Sequence, residues 1–223
     1  MKSLIKPNTI HCADCMDGLR EMPDNYVDLA IIDPPYGIGC VNQKRSRKFY
    51  DGRMKWNDAA PTKEYFNEIL RVSKNRIIWG INYYASMIPD MGRIVHVKDP
   101  HGYQFKELST CDIASHSFGV NCKTFIYEWR GNVQGGKMNV KNIGTDARIH
   151  PTQKPVALYK WLLQNYAKEG DLILDTHMGS GSSYIACLDM GFDYIGYEID
   201  QDYFTAIEKR VYDFTRQTNL FEV

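Results

Sequence analysis

Val27-Asp28-Leu29-Ala30-Ile31-Ile32-Asp33-Pro34-Pro35-Tyr36-Gly37 is the stretch whose reading decides the fold. Its first six residues are apolar apart from Asp28, the pattern of a strand buried in a parallel sheet. Pro34 and Pro35 then stop the ladder, because neither offers an N–H and together they fix an extended turn. In open α/β sheets, ligands bind outside the carboxyl ends of the strands. A carboxylate, a rigid turn and an aromatic ring are thus delivered together into a crevice.

Such a group suits methylation of an exocyclic ring amine, a poor nucleophile because its lone pair is delocalised into the ring. Two acceptors placed on its two hydrogens draw the nitrogen toward tetrahedral geometry and free the lone pair. The Asp33 carboxylate is one acceptor and the Pro34 carbonyl the other, with Pro35 fixing the turn. The Tyr36 ring can stack on a base turned out of its duplex. The bland reading of the same residues is a strand that ends in a Pro-Pro turn.

A second motif lies far downstream. His150-Pro151-Thr152-Gln153-Lys154-Pro155 opens a helix, with Val156, Tyr159, Leu163 and Tyr166 on one apolar side. Asp171 to Asp175 follows as a buried strand, then Thr176-His177-Met178-Gly179-Ser180-Gly181-Ser182-Ser183 and a helix over Tyr184–Asp189. The next strand, Tyr194–Glu198, ends in an acid. Strand, glycine loop, helix and strand with a terminal acid fit a nucleoside cofactor: the glycines admit its close approach, and the acid accepts from ribose hydroxyls. Tyr184 stands where a dinucleotide site would have its third glycine, which favours a smaller cofactor with an amino-acid tail.

Asp-Pro-Pro-Tyr, then His-Pro-Thr-Gln-Lys-Pro, then the glycine loop, in that order, resemble the beta-ordered group of amino-type DNA methyltransferases, common in bacteria and phages. The resemblance spans residues 8–214. It implies S-adenosylmethionine as cofactor and no metal, with DNA as partner and a homodimer compatible. It also implies a class I methyltransferase fold: a three-layer α/β sandwich with a mostly parallel seven-stranded sheet and one antiparallel edge strand. Asp33, Pro34, Pro35 and Tyr36 take the catalytic positions. Asp175, Gly179, Gly181 and Glu198 match positions that line the cofactor, and Lys154 one near its methionyl end. Thr176, His177, Ser180 and Ser182 complete the loop, and Asp14 with Cys15, at the end of the first strand, lies beside the adenine. Asp14 equally reads as a helix N-cap. Thr176, His177, Ser182 and Ser183 depart from the usual Pro, Phe and paired Thr, and His177 brings a titratable ring that makes cofactor affinity depend on pH.

The chain is one domain by length: a catalytic half over 8–99, a small recognition region over 100–149 and a cofactor half over 150–214. Its 223 residues carry 27 basic and 27 acidic side chains, so attraction to nucleic acid must come from a local patch. Residues 44–55 hold Lys44, Arg45, Arg47, Lys48, Arg53 and Lys55 against Asp51 alone. As this run follows the proposed base-binding turn, phosphate contact is preferred over a merely solvated loop, with Lys44, Arg45, Arg47 and Lys48 as DNA-binding candidates. The six cysteines read as reduced thiols in a cytoplasm, and Cys12-Ala-Asp-Cys15 as a strand followed by a turn.

Adenine is the preferred acceptor, on Asp rather than Ser before Pro-Pro. The cytosine exocyclic amine presents the same geometry, and a catalytically silent DNA-binding or partner subunit is the alternative of another class. Methylation at ring carbon 5 of cytosine would want a Pro-Cys pair, which the sequence lacks.

Overall fold

The computed structural model describes residues 4–38, 59–102, 109–130, 133–134 and 148–219. The basic run at residues 44–55 lies outside them, as do residues 103–108, 131–132 and 135–147 of the recognition region. The chain runs β1 (Thr9–Cys12), α1 (Cys15–Glu21), β2 (Val27–Ile32), α2 (Lys63–Val72), β3 (Ser73–Trp79), α3 (Ile81–Tyr84), β4 (Gly92–Val97), β5 (Cys111–His116) and β6 (Cys122–Ile126). A small ladder of β7 (Trp129–Arg130) and β8 (Val133–Gln134) follows. Then come α4 (Val156–Tyr166), β9 (Leu172–Asp175), α5 (Ser182–Met190), β10 (Asp193–Glu198) and α6 (Gln201–Asn219).

Eight strands form one sheet in the order β1-β10-β9-β2-β3-β5-β4-β6. The β2 strand is central, and all of its residues except Asp28 are buried. Asp28 is accounted for by hydrogen bonds from the Leu172 N–H (2.9 Å) and the Lys74 ammonium (2.6 Å). Period-two alternation sends Ala30 and Ile32 into a core shared with α1, α2 and α3, which Val27 at the start of the strand also joins. Leu29 and Ile31 face the opposite core, built with α4, α5 and α6. The result is the three-layer, mostly parallel architecture of the class I methyltransferase fold.

Local chemistry explains the flanking helices. Thr62 caps α2, its hydroxyl accepting from the Tyr65 N–H, and Tyr65, Phe66, Ile69 and Val72 form the buried face. Burying such side chains stabilises by roughly 1.5–3 kcal/mol each. Arg210 sits on the apolar stripe of α6 and donates to the Ser180 carbonyl (2.6 Å) and the Ser182 hydroxyl (3.0 Å).

Two features depart from the sequence reading. Among the described residues the sheet has eight strands, and the one antiparallel to its neighbours, β5, lies between β3 and β4 rather than at an edge. β4 and β5 are consecutive strands that pair as antiparallel neighbours, from Gly92 opposite His116 to Val97 opposite Cys111. β5 and β6, consecutive in the chain, do not form a hairpin, because β6 pairs in parallel with the far side of β4. The link between them passes the start of β4, where the Arg93 N–H bonds to the Asn121 carbonyl and Gly92 leaves room for the His116 ring.

Because β9 and β2 are paired neighbours (Leu29 opposite Ile173, Ala30 opposite Leu174), their carboxyl-end loops emerge side by side. From β9 the chain crosses to β10 on one side, and from β2 to β3 on the other. That reversal of strand order is where α/β sheets hold ligands.

Candidate active site

At the end of β2 the two prolines bring Asp33 into a pair with Lys154. The Lys154 Nζ lies 2.5 Å from Asp33 Oδ2, with side chains 5% and 16% exposed. The Tyr36 hydroxyl donates to Asp33 Oδ1 at 2.7 Å. Burial, and then the Asp33 charge, push the Tyr36 hydroxyl well above its ordinary pKa, so it stays a donor. Its ring stacks on Tyr83 at 4.8 Å, with the planes 19° apart.

The Tyr36 ring is also held from behind. Gly80 adopts φ +78°, and a Cβ there would lie 2.4 Å from Tyr36 Cε1, 2.8 Å from Cδ1 and 3.0 Å from Cζ. Distances this short to three adjacent ring carbons put the glycine over the ring face, a place no side chain could occupy. The Tyr84 hydroxyl donates to the Pro34 carbonyl at 3.2 Å and also to the Pro35 carbonyl. A carbonyl has two lone pairs, so Pro34 keeps one for a further donor.

Beside this turn opens a cavity of about 260 Å³, whose walls include Asp33, Pro35, Lys154, Gly179, Ser180 and Glu198. A smaller one of about 70 Å³ is lined by Ala13, Asp14, Cys15 and Thr176, together with His177, Glu198 and Ile199. Those last three line both cavities. The polar groups fit a nucleoside bearing an amino-acid tail: hydroxyl acceptors at the shared wall, small loop residues beside it, and Asp14 at the far end.

Glu198 is engaged as well as exposed to the cavities. Its Oε2 accepts from the Gly179 N–H (2.8 Å) and its Oε1 from the Asp200 N–H (3.0 Å), which fixes the glycine loop against the acid. Burial pushes its carboxyl upward. Asp14 caps α1 through the Met16 N–H (2.9 Å) and lines the smaller cavity, so its two readings coexist. Burial drives the Cys15 thiol to about 12, making it an inert wall.

Asp175, Gly181 and Ser182 lie behind the cavity walls rather than on them. Asp175 is buried and receives the His177 N–H (3.0 Å) and the Ser183 hydroxyl (2.6 Å). Burial raises its carboxyl to about 7. Gly181, at φ +71°, packs on Ile207, while Ser182 bonds Ser180 (3.0 Å) and Arg210. These residues shape the loop whose other side faces the cavity.

His177 requires a correction. Its Nδ1 lies 2.9 Å from the Thr176 hydroxyl, which in turn bonds the Tyr65 hydroxyl at 2.6 Å. Desolvation lowers its pKa to about 4, so the ring is neutral through the physiological range. The expected pH dependence of cofactor affinity is thereby confined to strongly acid solution.

The sequence reading gave no role to several residues that build this site. Tyr65, Gly80 and Tyr84 hold site groups through contacts that no motif announces. Arg210 did leave a signal, a cation on the apolar stripe of an amphipathic helix. His150 forms cavity wall against Tyr203, with ring centroids 4.5 Å apart, and burial lowers its pKa to about 3. Lys44, Arg45, Arg47 and Lys48 fall outside the described residues.

Residues 103–209 match a family model described as DNA methylase. The type II methyltransferase M.HpaI of Haemophilus parainfluenzae is 24% identical over 233 residues, covering 90% of this chain and 73% of that protein. The crystal structure of an M1.HpyAVI–SAM complex shares the fold, with a TM-score of 0.57, 20% identity, and coverage of 91% and 98% of the two chains. The cytosine-N4-specific PvuII DNA methyltransferase shares it too, at a TM-score of 0.60 and 11% identity over 92% and 86%. With the ordered motifs, the family match and the relative make the chain similar to the amino-type, S-adenosylmethionine-dependent DNA methyltransferases, whose fold the solved structures share.

Proposed function

We propose that this protein transfers the methyl group of S-adenosylmethionine to the exocyclic amine of adenine in DNA. The observation that supports the reading is the turn after β2, whose Asp33 and Pro35 line a cavity with polar groups for that cofactor and whose Pro34 carbonyl accepts from the Tyr84 hydroxyl. Two acceptors on one amine, with an aromatic platform next to them, are what a poorly nucleophilic ring nitrogen requires.

The roles follow from the chemistry. Asp33 and the Pro34 carbonyl accept the two amine hydrogens, and Tyr36 supplies a stacking face for the extruded base where the Tyr83 ring now lies. Glu198 receives ribose hydroxyls, Asp14 lies at the adenine end, and the loop from Thr176 to Ser182 gives the cofactor its bed. The bound cofactor supplies an electrophilic methyl group; the protein's share is alignment, which can account for much of such a barrier. We assign DNA contact to the basic residues Lys44, Arg45, Arg47 and Lys48 and to the loops of region 100–149.

The cytosine amine is the second reading, favoured by the likeness of fold to the cytosine-N4-specific enzyme. Label transfer from [methyl-3H]S-adenosylmethionine to unmethylated duplex DNA, RNA and protein, assayed side by side, tests the proposal. Incorporation into DNA alone is expected. Incorporation confined to RNA or protein, or none anywhere despite cofactor binding, would overturn it.

A further inference from the structure

Both oxygens of Asp33 are already held, Oδ2 by Lys154 at 2.5 Å and Oδ1 by the Tyr36 hydroxyl at 2.7 Å. A substrate amine needs one of them. Tyr36 belongs to the same turn as Asp33, and Gly80 and Tyr83 fix its ring. Lys154 is a point charge on a flexible four-carbon stem, so it is the partner that can yield. With only 5% of its side chain exposed, it cannot simply be left without an anion.

Asp112 on β5 offers that anion. Ala114 is the cross-strand partner of Trp79, so Asp112, two residues away, projects from the same face of the sheet at the site end. Lys154 Nζ already lies 5.2 Å from the centre of the Trp79 ring, on that same face. Lys98 occupies Asp112 Oδ1 at 2.8 Å, while among the described residues the cationic or titratable partner of Oδ2 is His96 Nδ1, at 4.0 Å. Burial raises the Asp112 carboxyl, but Lys154 and then Lys98 outweigh it and hold the group below the ordinary range. Desolvation keeps His96 neutral down to about 4, so it does not compete for Asp112 as a cation.

We infer that Lys154 is a positioning residue that exchanges carboxylates: it holds Asp33 until a substrate amine takes Oδ2, then passes along the Trp79 ring to Asp112. Each cation keeps an anion throughout, and no covalent bond is made or broken. Asp112 thereby becomes a determinant of base entry, although it contacts neither base nor cofactor. The inference rests on the amine-methylation reading given above.

The test uses the full chain with Asp112→Asn, Asp112→Glu, Lys154→Met and the double variant Asp112→Asn/Lys154→Met. Asp112→Asn should lower kcat about tenfold with cofactor Kd unchanged within twofold, and Asp112→Glu should restore most of the loss. Affinity is then measured for a duplex in which the target nucleotide faces an abasic site, a readout that survives if Lys154→Met is too slow to assay. There Asp112→Asn should weaken binding about tenfold when Lys154 is present and less than twofold when it is Met. A wild-type-like Asp112→Asn, an equal loss in both backgrounds, or a parallel loss of cofactor affinity would overturn the exchange. A wild-type protein that methylates no DNA would bring down the functional reading and the exchange with it. Methylation by the wild type with a silent Asp112→Asn would remove the exchange alone.

Discussion

Lys154 and Asp33 stand 121 residues apart in sequence, yet their charged atoms meet at 2.5 Å. The lysine of His-Pro-Thr-Gln-Lys-Pro thus serves the carboxylate of Asp-Pro-Pro-Tyr, and the pairing of β9 with β2 is what brings the two motifs together. Asp33→Asn leaves the ammonium without its carboxylate in a site almost closed to water. Breaking a buried pair from one side costs about 3–5 kcal/mol. Denaturant unfolding should show a loss of up to that order, reduced to the extent that Asp112 takes over the ammonium, and Asp33→Asn/Lys154→Met should recover part of it.

Gly80→Ala combines a left-handed backbone, costing roughly 1–2 kcal/mol for a residue with a Cβ, with a collision against the Tyr36 ring. Neither Gly80 nor Tyr36 is among the residues lining the cavity proposed for the cofactor, so cofactor binding should survive within twofold. Methyl transfer should fall at least tenfold, because the ring and its bond to Asp33 both shift. Parallel calorimetry and turnover assays check the split.

Glu198 both fixes the glycine loop and faces the two cavities. Hydrogen bonds to charged groups contribute roughly 1.5–3 kcal/mol. Glu198→Ala should therefore raise the cofactor Kd by at least tenfold in a calorimetric titration, with a smaller rise for Glu198→Gln.

The pH response of stability has a definite sign at His150. Its folded pKa is lowered to about 3 by burial, against 6.5 in the unfolded chain. Below pH 6.5 the unfolded chain binds a proton that the folded chain does not, so stability is lost as pH falls from about 6.5 toward 3. By pH 5 the loss from this residue is about 2 kcal/mol. Asp175 acts in the opposite sense, since its folded pKa near 7 removes stability as pH rises from about 4 to 7. Comparing the wild type with His150→Asn across pH 5–7 isolates the histidine, and the variant should lose its share of the acid-side slope.

Replacing Lys44, Arg45, Arg47 and Lys48 together by Gln should weaken DNA binding without regard to sequence. If each contacts a phosphate, the slope of log affinity against log salt should shrink by about 3 to 4, given roughly 0.9 per contact on duplex DNA. Cofactor affinity should not change. Fluorescence anisotropy across a salt series measures it.

Much of this arrangement was legible in the sequence because its signals are local. The apolar run before Asp33, the Pro-Pro break and the glycine loop before α5 each specify a strand or a turn from neighbouring residues alone. Strand order was less legible: β5 enters between β3 and β4, antiparallel to both, and sequence spacing did not reveal that β6 would pair with β4. The supporting side chains were the hardest to read. Tyr65 reaches Thr176 across 111 positions and Tyr84 reaches Pro34 across 50, contacts that exist only once the layers have packed. Asp175 illustrates the same limit, since its motif position pointed to the cofactor and packing put it beneath the loop.

The most direct measurement is mass-spectrometric nucleoside analysis of unmethylated DNA incubated with S-adenosylmethionine and either the wild-type protein or Asp33→Ala. The account predicts N6-methyladenine with the wild type and a loss of at least a hundredfold with the variant. N4-methylcytosine in its place would contradict the choice of base, and methylated adenine formed equally well by Asp33→Ala would contradict the role of the carboxylate.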